Sequence, residues 1–149
     1  MTRIHQHGLN RSLLLHLRDR LPDAKVDLHY DGYEIPESPR PLVIIEQMPS
    51  HHEIISKQRE GIQAIYRYQI ALIDLNSVNL SVNQERLTDI FHFDKFTFYD
   101  TLRDSRQTGS FLCDLTGVTP IHPEDKSEKS SYHRVYFDIE IATLKRSGS

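Results

Sequence analysis

The stretch REGIQAIYRYQIALIDLN, residues 59–76, alternates apolar and polar side chains for longer than a short strand requires. Every second side chain from Ile62 to Leu72 is apolar or aromatic, which is the period of a β-strand with one buried face. From Ile70 to Ile73 both faces are apolar, as in a strand that is covered on both sides. The pattern predicts one long strand with a buried root and a half-exposed tip.

A second strand-like segment, HHEIISKQ at residues 51–58, precedes this strand and is separated from it by a predicted turn near Glu60-Gly61. The two segments together predict a long β-hairpin. Two strands alone are only marginally stable in water, so the hairpin has to lie against a sheet or against another subunit.

The tip of this hairpin combines aliphatic side chains on both faces with charges of both signs. Mixed charge suits a protein partner better than it suits phosphate, so the tip is a candidate contact surface. Its candidate interface residues are Ile55, Lys57, Arg59, Glu60, Ile62, Ile65 and Arg67. An ordinary solvated hairpin tip is an equally good interpretation of the same residues.

Two segments have the apolar spacing of helices. Leucines at helical spacing predict a first helix from Asn10, its N-cap, to Leu21. A similar pattern predicts a second helix over residues 82–92, preceded by a capping box of Ser81 and Gln84.

The remaining apolar patterns are those of strands, and they lie at residues 26–30, 42–45, 95–100, 110–120 and 131–146. Pro49-Ser50 is predicted to end the apolar strand that begins at Leu42. Two helices on one face of a mainly antiparallel sheet would bury all these patterns. The predicted fold class is therefore α+β, with a long β-hairpin. A mobile loop is expected at about residues 120–130 and a flexible tail at residues 146–149.

The composition limits the classes of function. The 149 residues suit a single domain, and the formal net charge of -3 argues against a general nucleic-acid binder. The single cysteine, Cys113, cannot form a disulfide within the chain, which favours a reducing compartment. The N-terminus lacks the apolar core of a signal peptide, and no segment is apolar enough to span a membrane.

No residue pattern indicates a catalytic, metal or cofactor site. The nine histidines are scattered, and the adjacent His51 and His52 would point to opposite faces of a strand. The sequence has no HExxH, no CxxC and no glycine-rich phosphate loop, and Cys113 has no hydrolase signature around it. A small metal-dependent hydrolase or nuclease that uses some histidines and aspartates remains the alternative from another class.

The order of the elements resembles that of the tail terminator proteins of long-tailed bacteriophages. The resemblance covers nearly the whole chain and rests on pattern and order. It is carried by LNRSLLLHLRDRL, YDGYEIP, PRPLVIIEQM, HEIISKQREGIQAIYRYQIALID, LNSVNLSVNQERLTDIF and HRVYFDIEIATL.

The resemblance implies a structural role without catalysis or cofactor. Such proteins form a hexameric ring that stops polymerisation of the tail tube at its head-proximal end and joins the tail to the head. The implied partners are copies of the chain, the tail tube protein and head-tail connector proteins. DNA would pass through the lumen without specific binding, and the protein would belong to the virion after assembly in the host cytoplasm. Another neck protein or a minor capsid protein is the alternative within this class.

Overall fold

The computed structural model describes residues 4–55, 61–104, 106–121 and 133–146. These residues form two helices and seven strands, an α+β fold with a mainly antiparallel sheet, as predicted. The helices are α1 (Gln6–Arg20) and α2 (Ser77–Phe93). The strands are β1 (Lys25–Leu28), β2 (Leu42–Ile54), β3 (Gly61–Asp74), β4 (Phe96–Asp100), β5 (Arg106–Phe111), β6 (Asp114–Ile121) and β7 (His133–Arg146).

The main sheet has five strands in the order β1-β2-β3-β7-β6. Only β1 and β2 are parallel; the other neighbours are antiparallel. The predicted hairpin is formed by β2 and β3, but it does not project as two strands. Instead β7 pairs with β3 along its whole length, from Gly61↔Arg146 to Asp74↔His133. Strands β4 and β5 form a separate antiparallel pair.

The two helices lie on the same face of the sheet, which we call the helix-side face. The even-numbered residues from Ala64 to Leu72 of β3 are buried there, as the alternation predicted. Leu13 and Leu17 of α1 and Phe91 of α2 belong to the same apolar cluster. One core therefore joins both helices to the sheet.

The opposite face of the sheet, which we call the outer face, is covered only near its root among the described residues. There Leu42, Ile44 and Ile73 form a second apolar cluster, against which Tyr33 packs. The Tyr33 hydroxyl donates a hydrogen bond to Asp27 at 3.0 Å. Burial, the larger cause, and this hydrogen bond together raise the pKa of Tyr33 to about 12. The apolar root predicted from residues 70–73 is thus buried on both sides.

The N-cap of helix α1 lies five residues before the predicted one. The side chain of His5, not Asn10, caps it, with Nδ1 accepting the Gly8 N–H at 3.1 Å. Asn10 lies inside the helix, where its Oδ1 accepts the Tyr68 hydroxyl at 2.5 Å. Histidine is not a preferred capping residue, which is why the sequence did not indicate the true start.

Helix α2 also begins earlier than predicted, at Ser77. Its N-cap is Asn76, whose side chain accepts the Asn79 N–H at 2.8 Å. The predicted capping box was wrong, because the Ser81 hydroxyl bonds back to the Ser77 carbonyl inside the helix. Residues 77–79 at the start of the helix are exposed, so no core residue marks its beginning.

Two strand predictions also need correction. Pro49 does not end β2; the strand continues to Ile54, with an irregular register between Met48 and His51. The single strand predicted at residues 110–120 is in fact the end of β5 and all but the last residue of β6, which belong to different sheets. Both errors come from irregularities that period-two patterns do not show.

The predicted mobile loop and tail fall largely outside the described residues. Pro120 and Ile121 end β6, and residues 122–130 are not described. Arg146 ends β7, and residues 147–149 are not described.

Candidate functional site

His5 and His16 are each held in contacts between two elements. His5 Nε2 lies 3.0 Å from Asp100 Oδ1, and because its Nδ1 accepts the Gly8 N–H, the neutral ring donates from Nε2. The hydrogen bond from His5 holds the pKa of Asp100 below its usual value. His5 therefore both caps α1 and ties it to the end of β4.

His16 makes a second contact between α1 and the segment before β4. Its Nε2 lies 2.8 Å from Asp94 Oδ2, and its ring stacks on Phe96 with centroids 3.9 Å apart. Arg20 Nε donates to the same Asp94 oxygen at 2.8 Å. Through these contacts, His16 and Arg20 hold α1 against the segment that leads into the β4–β5 sheet.

His51 and His52 lie on opposite faces of β2, as their adjacency predicted, since they pair with Ile65 and Ala64 respectively. In the described part of the chain, no group of three or more histidine, cysteine or acidic side chains converges as a metal site would require. Cys113 is free and 7% exposed, and burial raises the pKa of its thiol. A buried thiol with a raised pKa is a weak nucleophile at neutral pH.

The candidate contact surface lies at the end of the sheet away from β1. We call this region the distal sheet: residues 51–54 of β2, 61–67 of β3 and 140–146 of β7. It contains Ile62, Ile65 and Arg67 of the predicted interface, and Ile55 directly follows it. The predicted residues Lys57, Arg59 and Glu60 lie outside the described residues.

The predicted residues of the distal sheet are divided between its two faces. Ile62 shares the helix-side face with Ala64, whereas Ile65 and Arg67 lie on the outer face. Ile55 folds back over Gly61, since a Cβ placed at Gly61 would be 3.2 Å from Ile55 Cδ1. The structure therefore does not gather these residues into one patch.

The outer face of the distal sheet carries charges of both signs. Arg67 Nε lies 3.9 Å from Glu140 Oε2, and His51 Nε2 lies 3.2 Å from Glu53 Oε1. All four side chains are partly exposed, so each contact contributes little to stability. Beside them is an open depression of about 440 Å³, lined by Met48, Pro49, Arg67, Tyr68, Thr116, Asp138, Ile139 and Glu140.

Two aliphatic residues of the distal sheet were missed by the sequence prediction. Ile54 and Leu144 are 54% and 50% exposed, more than expected for side chains of their size inside strands. Ile54 belongs to β2 and Leu144 to β7, on either side of β3. The apolar alternation of the last strand ends at Ile141, and Leu144 falls on the opposite, otherwise polar face, which was the available signal for the second of these.

A second exposed aliphatic stripe lies on the first two turns of α2. Val78 and Val82 are four residues apart and are 70% and 57% exposed, and Leu75 before the helix is 67% exposed. Residues four apart lie on one side of a helix, so Val78 and Val82 form a continuous surface. Val82 is the first apolar position of the helix predicted over residues 82–92, and the structure places it on this exposed stripe and not in the core.

The described residues include no helix that is both long enough and apolar enough to span a membrane.

No protein-family model matches the chain, and no curated protein matches it. One solved structure similar to the chain is the cryo-EM structure of an extracellular contractile injection system, the PVC sheath/tube terminator in its extended state. The TM-score is 0.52 at 9% sequence identity, over 100% of this chain and 60% of that chain. The chain thus spans about 60% of the length of that terminator. At this identity the similarity shows a shared fold.

Proposed function

We propose that the chain is a structural assembly protein that caps a tail tube at its head-proximal end. Copies of the chain form a ring, a hexamer in the phage proteins it resembles, that stops polymerisation of the tube and provides the surface for joining the head. The chain acts without catalysis or a cofactor, and DNA passes through the ring without specific binding. Its place is in the neck of a phage or prophage particle that is assembled in the host cytoplasm.

The observation that carries this proposal is that the whole of this chain shares its fold with part of a sheath/tube terminator. The similar protein is longer, and it is a terminator of a sheath and a tube. Transfer of that role to the present chain is the step we propose.

The distal sheet supplies a second, weaker argument. Its outer face exposes Leu144 beside partly exposed charges of both signs, and its helix-side face exposes Ile54; such mixed surfaces suit a protein partner. We propose that Ile55, Ile62, Ile65 and Arg67 belong to this contact surface, together with Lys57, Arg59 and Glu60.

The direct test is to assemble tubes with and without the chain. The tube protein encoded in the same genome is purified and polymerised, and the tubes are measured by negative-stain electron microscopy. We expect the chain to bind one end of each tube and to stop growth, so that length no longer increases with time. Binding along the tube wall, or unchanged growth, would contradict the proposal.

The same experiment separates the other neck proteins from a terminator. A connector or minor capsid protein would bind the head portal or the shell and leave tube length unchanged. A hydrolase or nuclease would show a stoichiometric metal by elemental analysis and activity that a chelator removes. Growth arrest by metal-free protein in the presence of the chelator EDTA is the expected result.

A further inference from the structure

Among the described strands, nothing pairs with the two outer edges of the distal sheet. Strand β1 pairs with β2 only from Lys25↔Leu42 to Leu28↔Ile45, and β6 reaches along β7 only as far as Glu140. Beyond these points no described strand pairs with the outer side of β2 or of β7. The three-stranded distal sheet thus ends in a strand edge on each side.

Backbone geometry shows which groups face outward at the edge of β2. The Ile55 N–H donates to the Gly61 carbonyl at 3.1 Å, so Ile55 faces β3. Successive residues of an antiparallel strand turn their backbone groups to opposite sides. His52 and Ile54 therefore present their N–H and C=O groups away from β3.

The same alternation identifies the outward groups of β7. Gly61 faces β2, so Ile62 and Ala64 face β7, where they pair with Lys145 and Thr143. The residues between these partners, Ala142 and Leu144, consequently face outward. On each edge of the distal sheet, two residues thus point both their N–H and their C=O groups away from β3.

Exposed aliphatic side chains lie on the same two edges. Ile54 lies on the edge of β2 and Leu144 on that of β7, each about half exposed. By contrast β6, whose outer side is also open among the described strands, contains Pro120, which has no N–H to donate. Proline on an outer strand is a usual protection against pairing. β2 has Pro49 at its irregular register, but residues 51–54 beyond it and residues 141–146 of β7 contain none.

We propose that copies of this chain join edge to edge, with the edge of β7 in one copy pairing with the edge of β2 in the next. The two edges are different surfaces on opposite sides of one sheet, so the contact is head-to-tail. A head-to-tail contact repeats from copy to copy, and where the rotation between copies closes, it forms a ring that leaves no edge open. The inference specifies the contact within the ring of the proposed function and rests on it.

The direction of the strands is fixed by the fold. Both β2 and β7 are antiparallel to β3, so they run the same way within one copy. A rotation that continues the sheet around an axis along the strands lays β7 parallel to β2 of the next copy. The helix-side face then stays on the same side of the sheet throughout the ring.

Paired cysteines test this contact directly. Glu53, Gln63 and Leu144 form one row across the three strands, with side chains on the outer face. Glu53 and Leu144 of one copy are two strand spacings apart, about 10 Å, which is too far for a disulfide. In a Cys113→Ser background, E53C/L144C and the neighbouring register E53C/A142C can therefore cross-link only between copies.

We expect at least one of the two double variants to give an oxidised ladder of dimers, trimers and larger species on a non-reducing gel. Each single variant is the matched control and can give dimers at most. A ladder that stops at dimers in both double variants would overturn the proposal. So would a wild-type chain that remains monomeric at high concentration in sedimentation velocity.

Hydrogen exchange provides an independent readout that needs no substitution. On concentration from the monomer, the amides of His52, Ile54, Ala142 and Leu144 should become protected by tenfold or more. Protection confined to α2, or protection of the edges only after tube protein is added, would overturn the edge contact between copies.

Failure of this inference can be told apart from failure of the proposed function. Tubes that are capped by a chain giving no ladder would overturn the edge contact and leave the terminator role standing. A ladder from a chain that does not stop tube growth would support the edge contact and overturn the terminator role.

Discussion

Gly8 in α1 lies directly against the ring of Phe98 in β4. A Cβ at Gly8 would be 2.6 Å from Phe98 Cζ and 2.9 Å from His5 Cε1, closer than carbon atoms can approach. Phe98 is fully buried, so its ring has little room to move. The absence of a side chain at Gly8 is what lets the start of α1 pack on the second sheet.

Gly8→Ala should therefore destabilise the protein, although alanine favours a helix by about 1 kcal/mol over glycine. Overpacking of this kind costs about 1–3 kcal/mol, and we expect a net loss in the free energy of unfolding measured with urea. The smaller side chain in Phe98→Leu leaves room for the added methyl group. The double variant should therefore recover part of the lost unfolding free energy in a double-mutant cycle. Arg11→Ala, at an exposed position of the same helix, is the control.

Tyr68 connects β3 to α1 through its hydroxyl. The hydroxyl accepts the Gln6 amide at 2.6 Å and donates to Asn10, which in turn donates to Gln47 of β2 at 3.2 Å. Tyr68→Phe leaves these groups without their central partner and should cost about 1–2 kcal/mol of unfolding free energy. Tyr99→Phe, whose hydroxyl has one contact at 3.4 Å, is the control and should cost clearly less.

The stability of the folded protein should depend on pH through Asp100. The His5 hydrogen bond lowers the pKa of its carboxyl in the folded state, so its stabilisation is present above the unfolded pKa of about 3.9 and is lost as the pH falls. We expect Asp100→Asn to lower the melting temperature at pH 7 and to weaken the fall in melting temperature between about pH 5 and 2. The variant Asp89→Asn, exposed on α2, should keep the wild-type slope. Parallel pH profiles for Asp100→Asn and the wild type would contradict this explanation.

Cys113 should react slowly while the chain is folded. Burial raises the pKa of its thiol, so little thiolate is present at pH 8 and reagents reach it poorly. We expect alkylation by iodoacetamide to be limited by unfolding and to become fast in urea. A cysteine at exposed Arg11, in a Cys113→Ser background, is the control, and it should react at the rate of a free thiol.

Ile62→Lys should weaken self-association more than folding if the distal sheet is a contact surface. Ile62 is only partly buried, so a lysine there can extend its amine toward water. Val78→Lys, on the exposed stripe of α2, is the matched control and should leave association unchanged. Light scattering gives the association and thermal melting the folding. A loss of stability by Ile62→Lys with no loss of association would place this residue in the core.

The regular part of the fold could be predicted because burial imposes a simple period. The alternation from Ile62 to Leu72 gave β3 and its buried face, and the apolar run at residues 42–45 gave the start of β2. Both segments lie in the centre of the sheet, where each side chain is either in the core or opposite to it.

What could not be predicted depends on contacts between distant segments. His5 caps α1 because Asp100, 95 residues away, orients its ring. The pairing of β7 with the hairpin tip was missed for the same reason, because the pattern of one strand does not show which other strand it pairs with. The candidate surface was located from the tip of the hairpin, whereas Leu144 is brought to it only by this long-range pairing.

The pairing of β3 on both sides along its length also has a mechanical consequence. A pull on its distal end along the strand would load the hydrogen bonds to β2 and β7 in shear, all at once, because these bonds lie across the direction of force. Peeling them one at a time would require a pull sideways. The fold is thus built to carry axial tension from one end of the sheet into its core.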